Sequence, residues 1–138
     1  MKNILLFLLL LNTLHLQAQQ SDLQQIEQTL NNYLIGGTEN DAERLVSAFH
    51  PNAMMKFIRD GEYQEVNAAQ FFLDRIKPGP PADRSTEVAT IDLTGHVAVA
   101  RLNIHYEKVR LVDYVTLMKI NEQWKIINKT FYREVLEN

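Results

Sequence analysis

Apolar and polar positions divide the chain into a helical first part and a β-rich second part. Beyond Ser85, four consecutive segments alternate apolar with polar residues, which is the period of a strand with one buried face. The predicted strands are residues 85–94, 97–106, 109–120 and 123–133, joined by turns at Gly95-His96, Glu107-Lys108 and Asn121-Glu122. Together they form a four-strand antiparallel meander.

Three segments with helical spacing precede the meander, and each is opened by a residue type that favours a helix N-cap. The first is predicted to begin at Ser21 and end at Gly36-Gly37, the second to run from Asn40 to Pro51, and the third from Asn67 to Pro78. Between the second and third, residues 54–59 and 62–66 form a predicted hairpin turned by Asp60-Gly61.

Two-residue turns would fix which residues face each other across the meander. One predicted row is Ile91, Ala100, Val115 and Asn128, and the next is Leu102, Asp113 and Thr130. The face that carries these rows is apolar almost throughout, so we expect the three helices to pack on it. The predicted class is α+β, with helices on one side of an antiparallel sheet.

The first 18 residues have the pattern of a secretory signal peptide. Lys2 supplies a basic start, residues 4–11 an apolar run, and Ala18 a small residue at which a peptidase can cut. We therefore expect a periplasmic or secreted protein whose single domain covers residues 19–138. The alternative is a retained N-terminal anchor, although the run is short for a membrane span.

Charge and composition exclude several function classes. The chain has 14 Lys and Arg against 17 Asp and Glu, and no segment concentrates basic residues, so we expect no nucleic-acid partner. The absence of cysteine excludes disulfides, thiolate metal sites, a cysteine nucleophile and a lipid-modified cysteine. The histidines lack metal-ligand spacing, so we expect neither a metal nor a cofactor, and no stable membrane insertion once the signal peptide is removed.

The order of helix, helix, hairpin, helix and meander resembles the nuclear-transport-factor-2-like superfamily over residues 20–136. Residues 48–53 (AFHPNA), and residues 112–120 (VDYVTLMKI) leading into 124–131 (WKIINKTF), look like exported bacterial proteins of a lumazine-binding branch of that superfamily. This resemblance implies three helices on a strongly curved antiparallel sheet that forms a cone with a pocket. Asn52 departs from the branch, which usually has Asp there.

Asp113 is the strongest candidate for chemistry because it is the one carboxylate on the predicted core face. A buried acid with a raised pKa could transfer a proton to or from a ligand. Alternatively, Thr130, backbone donors or a residue on a helix hold the carboxylate in a purely structural role. Enzymes of the resembled superfamily, such as ketosteroid isomerase and polyketide cyclases, use a pocket carboxylate or histidine.

Other candidates would line the pocket. His50 is a proton donor or ligand contact, or else it caps the second helix. Ala98 and Ala100 are small residues at mid-sheet and predict unfilled volume. The remaining predicted ligand contacts are apolar, aromatic or polar side chains, which elsewhere form plain core: Tyr33, Met55, Phe57, Phe72, Ile91, Leu102, Asn128 and Thr130.

The opposite face of the meander mixes polar with apolar residues, among them Val97, Val99, Tyr114 and Met118. A half-apolar exposed face indicates a partner surface, and the resemblance implies a homodimer. Three functions stay open. The first is an exported domain that binds a small apolar or aromatic molecule. The second is an isomerase, cyclase or lyase that uses Asp113 with His50. The third is a non-catalytic interaction module of the cell envelope.

Overall fold

Three helices and six strands follow one another in the part of the chain that the structure describes. This structure, a computed structural model, describes the backbone of residues 2–137 and the side chains of residues 17–137. The elements are α1 (Lys2–Thr38), α2 (Ala42–Ser47), β1 (Phe49–Arg59), β2 (Glu62–Asn67), α3 (Ala68–Arg75), β3 (Ser85–Thr94), β4 (Val97–His105), β5 (Val109–Ile120) and β6 (Gln123–Val135). Most side chains of the predicted signal peptide lie outside the described residues.

Helix α1 runs through both positions at which the sequence predicted its ends. Ser21 lies inside the helix. The residues before it are good helix formers, and their carbonyls accept the backbone hydrogen bonds of its turn, so no cap is needed. Gly36 and Gly37 also lie inside. A Cβ on Gly36 would come within 2.5 Å of the backbone nitrogen of Leu45, so this glycine permits the close approach of α2 rather than ending α1.

The starts of the two short helices are close to those predicted. The carboxylate of Asp41 caps α2, one residue after the predicted Asn40, and the side chain of Asn67 caps α3 as predicted. The second helix is shorter than expected. It ends at Ser47, and the chain is already extended at Phe49, so Pro51 lies within β1.

The six strands form one mixed sheet in the order β2-β1-β6-β5-β4-β3. The predicted hairpin is confirmed as β1 and β2, and Asp60 and Gly61 both have positive φ at its turn. Strand β1 pairs in parallel with β6, while the other neighbours are antiparallel. The prediction of a wholly antiparallel sheet is therefore wrong at this one junction.

The meander matches the predicted strands to within two residues. Ile91 faces Ala100, and Ala100 faces Val115, as predicted. Asn121 and Glu122 both adopt positive φ, which gives the last hairpin its tight turn. The helices pack on the inner face of this sheet, and the resulting class is the predicted α+β. No helix among the described residues is both long enough and apolar enough to span a membrane.

A β-bulge in β6 changes the predicted register of that strand. Leu117 faces Ile126, but Thr116 faces Asn128, so one extra residue is inserted in β6. Because side chains alternate with a period of two, the insertion exchanges the two faces beyond it. Asn128 and Thr130 therefore point to the outer face, and Lys129 points inward opposite Val115. The predicted inward positions of Asn128 and Thr130 are wrong.

Helix α1 is tied to the β5–β6 hairpin by polar contacts at one end of the sheet. The indole of Trp124 donates a hydrogen bond to Asp22 (3.0 Å), and Lys119 forms an ion pair with the same carboxylate (2.9 Å). The Trp124 hydrogen bond and the Lys119 contact lower the pKa of Asp22. Thr29 donates to the Trp124 carbonyl (3.0 Å). Trp124 is therefore part of a structural contact between α1 and the sheet.

Candidate functional site

A cavity of about 350 Å³ lies between the C-terminal end of α1, helix α3 and the sheet. Its wall is largely apolar and aromatic, with three basic side chains and two tyrosines. The lining residues are Tyr33, Gly37, Asn40, Leu45, Met55, Phe71, Phe72, Arg75, Ile76, Ala82, Arg84, Ile104, Tyr106, Leu111, Lys129 and Phe131. Ala82 and Arg84 come from the end of the Pro-rich loop that joins α3 to β3 (residues 76–84), which thereby contributes to the cavity wall.

Three of the predicted ligand contacts, Tyr33, Met55 and Phe72, lie in this wall. The others lie elsewhere: Phe57, Ile91, Ala100 and Leu102 pack in or against the core, Asn128 and Thr130 face outward, Asp113 lies behind the wall, and His50 lies on β1. The Nδ1 atom of His50 accepts a hydrogen bond from the Asn52 backbone (3.2 Å). The ligand-binding roles of these residues stay predictions.

Ala98 and Ala100 are buried in the same core as Ile26 and Leu30. Neither alanine lines the cavity. We infer that small side chains at mid-sheet let neighbouring groups approach closely, so that the interior is packed there rather than hollow. The cavity is displaced toward the loops at the end of α1.

Asp113 is fully buried on the inner face of β5, beside Leu102, as the apolar pattern predicts. The phenol of Tyr33, from α1, donates a 2.6 Å hydrogen bond to its Oδ2 atom. The ammonium of Lys129, from β6, lies 2.9 Å from its Oδ1 atom in an ion pair. Among the described residues Oδ1 has no other partner, so the charge of Lys129 compensates for its burial.

Burial and the neighbouring carboxylate shift the pKa of both partners. Burial raises the pKa of Tyr33 well above its usual value, and the charge and hydrogen bond of Asp113 raise it further. Burial lowers the pKa of Lys129, while Asp113 opposes that change. The ammonium also lies 4.1 Å from the centre of the Phe131 ring, a cation–π contact.

Asp113 touches the cavity only through these partners, because Tyr33 and Lys129 line the wall and Asp113 does not. A proton exchanged with a molecule in the cavity would therefore move at the Tyr33 hydroxyl or the Lys129 amine. Among the described residues, no group of three or more His, Asp or Glu side chains is placed to hold a metal ion.

Arg84 forms a second polar part of the wall. Its guanidinium donates to the hydroxyl of Thr38 (2.9 Å), the hydroxyl of Tyr106 (2.8 Å) and the carbonyl of Leu34 (2.8 Å). A Cβ on Gly37 would collide with its Nη2 atom, so glycine at this helical position makes room for the guanidinium. The arginine thus fastens the start of β3 to the end of α1.

The sequence reasoning missed Lys129, Arg84 and Tyr106. In a regular alternation that continues from the inward-facing Trp124 and Ile126, Lys129 falls on the outer face, and only the bulge turns it inward. Arg84 and Tyr106 flank loops, where a lone polar residue is ordinarily solvated. A bulge leaves no signal in the alternation of apolar and polar residues along a strand. However, a buried carboxylate without an assigned cation is a reason to look for a lysine or arginine near its row.

We predict that Asp113→Asn will strongly destabilise the fold. The substitution leaves the buried ammonium of Lys129 without its counter-ion, a loss of about 3–5 kcal/mol. Urea unfolding followed by circular dichroism measures the difference. The matched control is Glu134→Gln, which removes a half-exposed ion pair with Arg110 at the surface and should cost about 1 kcal/mol or less. Equal losses in the two variants would contradict a tightly coupled buried pair.

We predict that Tyr33 makes the folding stability fall at alkaline pH. The folded-state pKa of Tyr33 is raised above 10.0, so the folded state retains a proton that the unfolded chain releases. The contribution is complete below pH 10.0 and is lost as the pH rises toward the folded pKa. The free energy of unfolding, measured by urea denaturation between neutral pH and pH 11, should decline more steeply in the wild type than in Tyr33→Phe. Parallel slopes would exclude this linkage.

Known structures share this fold. A nuclear-transport-factor-2-like (NTF2-like) protein of unknown function from Shewanella baltica is 23% identical with a TM-score of 0.73, and the match covers 83% of this chain and 94% of that one. Another from Silicibacter pomeroyi is 16% identical, with a TM-score of 0.74 and coverages of 84% and 98%. A ketosteroid isomerase-like protein from Erwinia carotovora atroseptica is 11% identical, with a TM-score of 0.63 and coverages of 78% and 92%.

No curated protein matches the chain. At these identities the structural matches establish the fold alone. The family assignment comes from the sequence, because the model of the family described as "Putative lumazine-binding" matches residues 21–132. This match includes β1 to β5, most of β6, and the three residues Tyr33, Asp113 and Lys129. The chain belongs to the "Putative lumazine-binding" family, within the NTF2-like fold.

Proposed function

We propose that the protein is exported and binds a small, apolar or aromatic molecule in the cavity beside Tyr33. The observation that carries the proposal is the cavity itself. Its volume of about 350 Å³ falls within the range of ligand pockets, roughly 300–1,000 Å³. The family description supports a small-molecule ligand, and the basic start and apolar run of residues 1–18 support export.

The aromatic wall of the cavity favours a flat ligand. The rings of Phe71 and Phe72 are perpendicular, with centroids 5.5 Å apart, and the ring of Tyr33 lies 5.9 Å from that of Phe72. The wall therefore presents both the faces and the edges of aromatic rings. A planar molecule can stack on the face of one ring while the edges of other rings contact it from the side. Met55 adds an adaptable thioether surface.

Binding is favoured over the alternative of an isomerase, cyclase or lyase that uses Asp113 and His50. Both oxygens of Asp113 are occupied by Tyr33 and Lys129, and the residue lies behind the wall. His50 is not part of the wall either. A base that abstracts a proton must reach its substrate within hydrogen-bond distance, and this arrangement does not offer one from Asp113.

The binding proposal predicts that flat heterocycles raise the melting temperature of the protein in a thermal-shift screen. Ile76→Trp should abolish the shift, since its larger side chain fills the cavity. Leu73→Trp is the matched control: Leu73 lies on the neighbouring helix α3, is 42% exposed and does not line the cavity, so its shift should equal that of the wild type. A screen without hits, or hits that survive Ile76→Trp, would contradict the proposal.

We further propose that a second copy of the chain covers the outer face of the meander. Val99, Tyr114 and Tyr132 expose large apolar surfaces there, between 45% and 66% of each residue. On the same face Arg101 has a buried Nε atom without a hydrogen-bond partner among the described residues. An exposed apolar patch that surrounds an unsatisfied donor is typical of an interface, and the family resemblance implies a homodimer.

The dimer proposal predicts that Val99→Lys combined with Tyr114→Lys yields a monomer. Two charges within an apolar interface must be desolvated without partners, which should weaken association by at least about 100-fold. Sedimentation velocity of the wild type and variant measures the mass. The control is Leu73→Lys, on α3 at the opposite face of the sheet, which should remain dimeric. A monomeric wild type, or a dimeric double variant, would overturn this proposal.

A further inference from the structure

The charged side chains that line the cavity are all basic. They are Arg75, Arg84 and Lys129, and none of the lining residues is Asp or Glu. The charge of Lys129 is balanced by Asp113. Neither Arg75 nor Arg84 has a carboxylate within 4.0 Å among the described side chains. The wall therefore carries two positive charges, on Arg75 and Arg84, that no carboxylate among the described residues balances.

Of these two arginines, Arg84 is the better placed to bind an anion. It is half-buried, whereas Arg75 is exposed and stacks on the ring of Phe71. The partners of Arg84 are two hydroxyls and a carbonyl, all neutral, and they occupy three N–H groups. A guanidinium has five N–H donors, so two remain. A partly desolvated cation without a counter-ion is unfavourable, and an anionic ligand would relieve that cost.

The guanidinium is also held in place before any ligand arrives. Contacts from Thr38, Leu34 and Tyr106 fix it from three sides, and Gly37 provides the space that its Nη2 atom occupies. A preorganised planar donor loses little conformational entropy on binding, and its paired N–H groups match the two oxygens of a carboxylate. Arg84 is not needed to neutralise Asp113, because Lys129 already forms an ion pair with that carboxylate.

We infer that the ligand of this cavity is an amphipathic acid, with an apolar or aromatic body against the phenylalanine wall and a carboxylate bound by Arg84. The inference rests on the proposed function and narrows its ligand class. It assigns Arg84 as the residue that selects acids over neutral molecules of the same shape. Gly37 is a positioning residue, because its missing side chain sets where the guanidinium lies.

The test compares aromatic acids with their amides, which have nearly the same shape but no charge. Benzoate, 2-naphthoate and indole-3-acetate are titrated beside benzamide, 2-naphthamide and indole-3-acetamide, and dissociation constants are measured by calorimetry at neutral pH. We expect the acid of at least one pair to bind about tenfold to a hundredfold more tightly, which is the range for hydrogen bonds to a charged group.

Three variants of the full chain assign that preference to Arg84. In Arg84→Met the acid should lose about tenfold or more in affinity while the amide is unchanged, and amide binding then shows that the pocket is intact. Gly37→Ala should reduce the preference in the same direction, because its Cβ displaces the guanidinium. Arg59→Met is the control, since it removes one positive charge from an exposed site outside the cavity and should leave the preference unaltered.

The outcomes distinguish this inference from the proposed small-molecule binding on which it rests. If amides bind as tightly as acids to the wild type, the cavity binds small molecules but the acid selectivity is overturned. If acids are preferred but Arg84→Met keeps the preference, the assignment to Arg84 is overturned. If no acid and no amide binds, both this inference and the aromatic ligand class fail. The wild-type comparison decides the first point even if Arg84→Met does not fold.

Discussion

The buried contact between Asp113 and Lys129 is the constraint on which the remaining arrangement depends. Removing a carboxylate and an ammonium from water costs several kcal/mol for each ion, and only close approach and additional partners compensate for it. Here the ions lie 2.9 Å apart, and Tyr33 donates to the second carboxylate oxygen. The three groups come from α1, β5 and β6, so their contact specifies where the long helix lies on the sheet.

The bulge in β6 and this ion pair depend on each other. Without the extra residue, the alternation of β6 would turn Lys129 outward and place Thr130 opposite Asp113. The carboxylate would then be buried with the Tyr33 hydroxyl but without a cation. Conversely, the bulge without Asp113 would bury a lone ammonium. An irregularity that disrupts a ladder locally is therefore stabilised by the charge that it brings inward.

The sequence was sufficient for those features that follow from local pattern. The bounds of the four meander strands to within two residues, the Asp60-Gly61 turn and the inward position of Asp113 all depend on alternation or on turn chemistry, and each is confirmed. The inward position of Lys129 depends on one inserted residue, whose location leaves no trace in the hydrophobic period. The predicted ends of α1 are wrong for a related reason. Ser21 and Gly36 have the residue types of helix ends, but their surroundings supply the hydrogen bonds and close packing instead.

The position of the cavity illustrates why the site was harder to predict than the fold. Small residues at mid-sheet indicate free volume only if nothing approaches them, and Ala98 and Ala100 are instead packed. The free volume lies where α1 ends and the Pro-rich loop crosses it, with the backbone of Ala82 donating to the Thr38 carbonyl (2.7 Å). There the chain changes direction, and regular packing cannot fill the space.

Under the proposed function, folding and ligand recognition depend on different side chains. Asp113 is paired with Lys129 and accepts a hydrogen bond from Tyr33, so these three residues stabilise the fold whether or not the cavity is occupied. Arg84 lies in the part of the wall next to the loop that precedes β3, and it holds a charge that its own neutral partners do not balance. Because loops vary without disturbing a core, a change of residue at this wall can alter the preferred ligand while the ion pair beneath it keeps the domain folded.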